Sequence, residues 1–351
     1  MFAENDRISH RQLFRQIVMS LVAPFLLCLA GWHDMSGVNG LAGIVIVAVI
    51  LGFYVIFLVR LAPAYEHMEK YMGKIQHVVI AAAYFAYIVF TAAFILDLIS
   101  SLVGTWLLYG VNDWWIRIAV AIFCAAGSHY GMQKRARMAE VSFLIVAGAL
   151  CLLVVFAFAQ GNLFSVQEFF RQSLSAARVG RGSWQLLCGF LPLTLLPFLL
   201  CQVAKASGSG KTVFGAVVFL LVFLAVLLVL LPLALGWDRM TMETVPVLPL
   251  LAGTNLPGDI MARFDVIWIS LILYALLYSL GSLYYYANYV TSHIAFSVNR
   301  WVVALLVWVI SVCPFAGYRI AQYYPMIVAQ FGVPILFGLT FYIYIWYRRR
   351  V

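Results

Sequence analysis

Two carboxylates interrupt stretches that otherwise carry almost no charge. Asp97 sits in Ile95-Leu96-Asp97-Leu98, and Glu140 opens the apolar run that begins at Val141. An acid held in an apolar medium is costly to ionise, so each is a candidate for ion or proton coupling. Asp97 would either bind a cation or substrate amine or pair with an arginine beyond its helix. Glu140 lies one turn from Arg137, a spacing that also suits a stabilising pair at a membrane interface. Tyrosines form a second set. Tyr84 and Tyr87 stand one turn apart, as do Tyr274 and Tyr278, with Gly281 and Tyr285 continuing the second stripe. A buried phenol needs a hydrogen-bond partner, supplied either by a neighbouring helix or by a polar cavity.

Other chemistry finds no pattern. The six cysteines (Cys28, Cys124, Cys151, Cys188, Cys201, Cys313) fall inside apolar runs with no CxxC, as small packing residues do. The six histidines show no ligand spacing. Gly208-Ser209-Gly210-Lys211-Thr212 ends like a phosphate-binding loop, but Lys205 stands where the first glycine is required and no strand precedes it. Catalysis, a metal and a cofactor are all unexpected.

The elements that carry these residues follow from composition. Of 351 residues 65% are hydrophobic and 10% charged, against roughly a quarter charged in ordinary soluble domains. Mean hydropathy is +1.00. One aqueous core could not hide that much apolar surface, which excludes a soluble enzyme and makes lipid the solvent. The net charge of +9 is then a matter of topology more than of nucleic-acid binding. Long unbroken runs exclude the alternating pattern of a barrel and predict an all-α integral membrane protein. Ten runs are expected to span: Ile17–Gly31, Leu41–Val59, Val78–Val103, Trp114–Tyr130, Val141–Phe158, Trp184–Val203, Val213–Leu235, Val266–Tyr289, Trp301–Phe315 and Met326–Tyr347. No small-x-small site follows the first run, so it is read as a retained span and not a signal peptide.

Alternating the loops places fifteen of the 22 Lys and Arg residues on one side, among them Arg7, Arg11, Arg15, Lys134, Arg135, Arg137 and Arg348–Arg350. The positive-inside rule makes that side, with both termini, cytoplasmic. Two outer loops are long. In residues 160–183, Ser165-Val166-Gln167-Glu168 fits a capping box ahead of Phe169, Phe170 and Leu174, predicting a short surface helix. Residues 236–262, with Pro246, Pro249 and Pro257, make either a lid or a packed loop. Arg263 and Asp265 would anchor the start of the eighth run.

Five runs fill residues 1–160 and five fill 183–351, all within one membrane domain. An odd number per half inverts the second half, the five-plus-five arrangement in which matching broken helices carry the binding site. Ala23-Pro24 in the first run and Gly189, Pro192 and Pro197 in the sixth are the expected breaks, since proline frees helical carbonyls.

Three segments carry a resemblance. The opening Ile8-Ser9-His10-Arg11-Gln12-Leu13-Phe14 is similar to an Ile-Ser-x-x-Gln-Leu-Phe lead-in. Gly131-Met132-Gln133-Lys134-Arg135-Ala136-Arg137-Met138-Ala139-Glu140 is similar to a Gly-x-Glu…Arg-x-x-Glu signature, and Pro246…Pro257-Gly258…Arg263-Phe264-Asp265 to a Pro…Arg-x-Asp segment. In order and spacing over nearly the whole chain, these resemble the B subunit of spore germinant receptors (GerAB-type), a branch of the amino acid/polyamine/organocation (APC) transporter superfamily. The resemblance implies a LeuT/APC-like inverted repeat, and a membrane subunit that senses a small nutrient, an amino acid by expectation, beside A-type and C-type partner subunits in the spore inner membrane. It also implies a pocket that includes Ala23, Pro24, Tyr84, Tyr87, Gly189, Phe190 and Tyr278. Two positions depart from the pattern: Ala23-Pro24 stands where the family has glycine, leaving fewer backbone amides for a carboxylate, and Gln133 replaces the first Glu. The alternatives are a proton- or sodium-coupled solute transporter using Asp97 or Glu140, and a structural or ion-conducting subunit without organic ligand.

Overall fold

The computed structural model of the chain describes residues 7–28, 35–66, 68–159, 167, 169–204, 207–243, 245–253, 265–292, 298–314 and 318–350. Among these, every regular element is helical, and a backbone bridge joins Ile8 to Val203. The principal helices are α1 (His10–Cys28), α2 (Gly37–Glu66), α3 (Lys74–Leu102), α4 (Asp113–Gly127), α5 (Met132–Ala159), α6 (Ala176–Gly189) and α7 (Leu196–Leu200). They continue with α8 (Ser209–Leu235), α9 (Asp265–Val290), α10 (Arg300–Val312), α11 (Ile320–Ile327) and α12 (Val333–Arg350).

Among the described residues, six stretches are long and apolar enough to cross a membrane: α2, α3, α5, α8, α9 and the α11–α12 unit. The α6–α7 pair adds a seventh if counted as one bent span. The remaining expected runs fall in α1, α4 and α10, helices of 19, 15 and 13 residues. The membrane character shows on the outside of the molecule. Val45, Val49, Phe53 and Ile56 on α2, and Val141, Leu144, Ile145, Leu152 and Val155 on α5, recur at helical spacing and are exposed. Water would penalise such faces; hydrocarbon does not.

Helices α3 and α9 form the centre, each with 61% of its apolar window buried, whereas only 22% of that of α5 is buried. Both pack on neighbours over most of their length: α9 on α1 and α3, α3 also on α4 and α10. Helix α2 lies against α6, α7 and α8. The N-terminal lead-in is tied to this core where the Ile8 amide donates to the Gln202 carbonyl (2.9 Å) and the Ala204 amide to the Ile8 carbonyl (3.0 Å).

The two expected breaks differ. The sixth run is broken: α6 ends at Gly189, a 3-10 turn spans Leu191–Leu195, and α7 leaves at 41°. Pro192 and Pro197 sit in the first turns of the two following segments, where a missing amide costs nothing. The first run is not broken at Ala23-Pro24, which corrects the expectation, because α1 continues through Pro24 to Cys28. A third irregularity was not expected from the sequence. A π turn at Val328–Gly332 separates α11 from α12, just ahead of Pro334, which has no amide to donate to the Gln330 carbonyl.

The resemblance to a phosphate loop at Gly208–Thr212 resolves into a helix start, with Gly208 taking the left-handed conformation (φ +90°) that ends the preceding turn. Of the first long loop, residues 169–171 are helical, with Phe169 buried and Phe170 exposed. Ser165, Val166 and Glu168 lie outside the described residues. The second long loop forms two short helices, Trp237–Met242 and Val247–Gly253. Pro257, Arg263 and the Asp265 side chain lie outside the described residues.

Candidate functional site

A cavity of about 550 Å³ opens where the α6–α7 break meets α1, α3, α9 and the α11 π turn. Its walls are apolar, with Ile17, Leu21, Phe94, Ile95, Leu196 and Leu199 among them. Two polar clusters interrupt these walls. The first, at the end of α1 near Arg15, comprises Gln16, Ser20, Ser279, Ser282 and Tyr286. The second comprises Thr91, Gln185 and Tyr324; the Tyr324 hydroxyl donates to Thr91 Oγ1 (3.0 Å), and the Gln185 carbonyl oxygen is buried without a partner. A mostly apolar lining with a few polar groups is the usual form of a small-molecule site.

The first cluster is held by side chains spaced along one helical face. Gln16, Ser20 and Pro24 recur every four residues on α1, and Ser279, Ser282 and Tyr286 every three or four on α9. Pro24 has no amide, so the Ser20 carbonyl lacks its helical donor, and the Ser279 hydroxyl donates to it instead (2.7 Å). The proline thus fastens α1 to α9 in place of presenting an open carbonyl to the cavity.

Behind this cluster lies Arg135 of α5, 8% exposed. Its Nη2 donates to the Tyr278 carbonyl (3.1 Å) and to Ser282 Oγ (2.8 Å), and its guanidinium covers the Tyr278 ring at 5.3 Å. Its Nε has no partner, and no carboxylate pairs with it among the described residues.

The residues singled out from sequence fall in three places. Pro24 and Gly189 line the cavity. Tyr87 and Tyr278 lie just behind it: the Tyr87 hydroxyl is buried beside Thr91 and Tyr324, and the Tyr278 hydroxyl donates to Gln16 Oε1 (2.7 Å). Ala23, Tyr84 and Phe190 are elsewhere. Ala23 faces a small apolar gap between α1, α5 and α9, and Phe190 is packed in the core. Tyr84 joins Tyr65 (2.8 Å) and Thr340 (3.4 Å) in a hydroxyl cluster between α2, α3 and α12. Gln16, Ser20, Gln185, Ser279, Ser282 and Tyr324 were not singled out, and only the spacing of Gln16 and Ser20 with Pro24 signalled any of them.

Both acids are engaged by arginines. Asp97, 1% exposed, accepts from Arg117 Nη2 and from Arg319 Nη2 (3.0 Å), and Arg319 also reaches Asp113 (3.2 Å). Arg117 Nε donates to Ser100 Oγ (3.0 Å), and its Nη1 to the Ser311 carbonyl. Burial works against the Arg319 cation, but the Asp97 and Asp113 carboxylates outweigh it and raise its pKa above the ordinary value. Glu140 pairs with α1, through Arg15 (2.9 Å) and Arg11 (3.3 Å), where the sequence pointed to Arg137.

The comparisons with known proteins fit this architecture. No curated protein matches the sequence. Among solved structures, the chain is similar to a Na⁺-coupled sialic acid symporter, in a substrate-bound outward-open state, with a TM-score of 0.58 and 13% identity; the match covers 97% of this chain and 76% of the symporter. At that identity the likeness speaks for the fold alone, an all-helical membrane fold like that transporter's. Residues 7–319 match the family described as "Spore germination protein", and the chain belongs to that family.

Proposed function

We propose that this chain is the ligand-sensing membrane subunit of a spore germinant receptor, with a small nutrient occupying the cavity at the α6–α7 break. The observation that carries the reading is the cavity itself: apolar walls, two polar clusters, and a lining drawn from a broken helix in a transporter-like fold. Ligand would favour one arrangement of α1, α6 and α11 over another, and the shift would pass to A-type and C-type partner subunits. Only a difference in affinity between the two arrangements can drive such a shift. The ten runs, arranged as two inverted halves with both termini cytoplasmic, belong to this proposal. In support, α4 and α10, the fourth run of each half, are both short. Both also open on Asn-x-Trp, with Asn112 and Asn299 accepting from the Trp114 and Trp301 amides (3.1 Å each).

Gly189→Trp fills the cavity from the end of α6. It should abolish the nutrient-triggered germination response while leaving the amount of protein in the membrane unchanged; a full response from this variant would dismiss the site.

The second reading is secondary transport of a solute, favoured by the likeness to a coupled symporter. Uptake of the ligand into liposomes bearing the purified chain would establish transport, and binding without uptake would favour sensing. As coupling groups, Asp97 and Glu140 are disfavoured by their arginine partners.

A further inference from the structure

The charge around the cavity is one-sided. Among the described lining residues none is acidic, and the single charged side chain is Arg181. Arg135 stands directly behind Ser282, which lines the cavity and accepts from Arg135 Nη2 at 2.8 Å. The guanidinium is buried, rests on neutral oxygens of Tyr278 and Ser282, and keeps Nε unpartnered. The acids of the core are spent elsewhere: Asp97 on Arg117 and Arg319, Glu140 on Arg11 and Arg15. A buried cation without a counter-charge is unfavourable, and the cavity reaches Ser282, to which Arg135 donates, so a negative charge at its Gln16–Ser20–Ser279–Ser282 end would offset it.

We infer that the cavity takes a small organic anion, whose carboxylate or equivalent group lies at the Ser279–Ser282 end under the field of Arg135 while its apolar body lies along Ile17, Leu21, Phe94 and Leu199. This rests on the ligand-binding reading above and names the ligand's charge class. The Ser279 and Ser282 hydroxyl protons go to the Ser20 and Tyr278 carbonyls, so the Gln16 amide is the donor at that end, and Arg135 supplies the attraction at one remove. It is a positioning residue for charge, not a contact. A ligand with an uncompensated ammonium would meet the field of Arg135 with no carboxylate among the described lining residues to oppose it.

The test is thermal unfolding of the detergent-purified full chain against two charge series of constant skeleton. One is benzoate, benzamide and benzylamine; the other is L-lactate, L-lactamide and 1-amino-2-propanol. A ligand that binds the folded state raises the melting temperature by mass action. The carboxylates should stabilise at concentrations at least tenfold below those needed for the amides, and the amines should not stabilise. Arg135→Gln, which can keep the hydrogen bonds to Tyr278 and Ser282, should reduce the carboxylates to the level of the amides. Amines as effective as carboxylates, or an undiminished carboxylate preference in Arg135→Gln, would overturn the inference. If that variant does not fold, the wild-type series decides by itself. Stabilisation by amides or amines alone removes the charge preference and leaves the ligand-binding reading standing; no response to any of the six removes both.

Discussion

The Ser279 hydroxyl donates to the Ser20 carbonyl over 2.7 Å, and that carbonyl is the one Pro24 deprives of its helical donor. A proline that would mark a broken helix from sequence is here a fastening between α1 and α9, next to the cavity. If so, Ser279→Ala leaves a buried acceptor unsatisfied and should destabilise the chain by about 1–3 kcal/mol. Pro24→Ala restores an amide at position 24 and makes the Ser279 hydroxyl redundant. The double variant should therefore lose less than the sum of the single variants, as thermal unfolding of all four proteins would show. Additive losses would mean that the two residues act separately.

Asp97 is the pivot of a four-residue network that ties α3, α4 and the start of α11 together. Asp97→Asn leaves Arg117 buried without its carboxylate and should cost about 3–5 kcal/mol. Arg319 has a half-exposed side chain, so Arg319→Gln should cost about 1 kcal/mol or less. Melting temperatures in one detergent would rank the two variants, and the reverse order would refute this account of the network.

At the other end of the molecule, Glu140 holds two arginines of very different burial. The Arg15 side chain is 10% exposed and that of Arg11 70%. Arg15→Gln should therefore lower the melting temperature by several degrees, whereas Arg11→Gln should leave it nearly unchanged. Equal effects would mean that burial does not govern this pair.

The orientation has its own check. In a cysteine-free background, Tyr109→Cys should react with a membrane-impermeant maleimide in intact cells, while Lys134→Cys should react only after permeabilisation. Both positions are exposed, so access depends on the side of the membrane. The opposite pattern would invert the topology.

Membrane class was legible from the sequence, because lipid demands long apolar helices and their residues are contiguous in the chain. The break at Gly189, Pro192 and Pro197 was legible for the same reason: proline acts on its own helix. Belonging to the spore germination family could be seen in three short segments in register. The lining of the cavity was not legible. Ser20, Ser279 and Tyr324 are ordinary residues on three helices far apart in the chain, and only packing brings them to one space. Tyr84, placed correctly at mid-helix, turned toward Tyr65 and Thr340 and not toward the cavity, since a one-residue rotation changes which neighbour a side chain meets. The partner of Glu140 was decided likewise. Arg137 is near it along α5, but α1 presents Arg11 and Arg15 to the same carboxylate, and contacts between helices override spacing within one. Local sequence thus determined which segments are helical, where one breaks and what solvent they meet; tertiary structure decided which faces meet, and so where the polar groups converge and which charges are left unpaired beside the cavity.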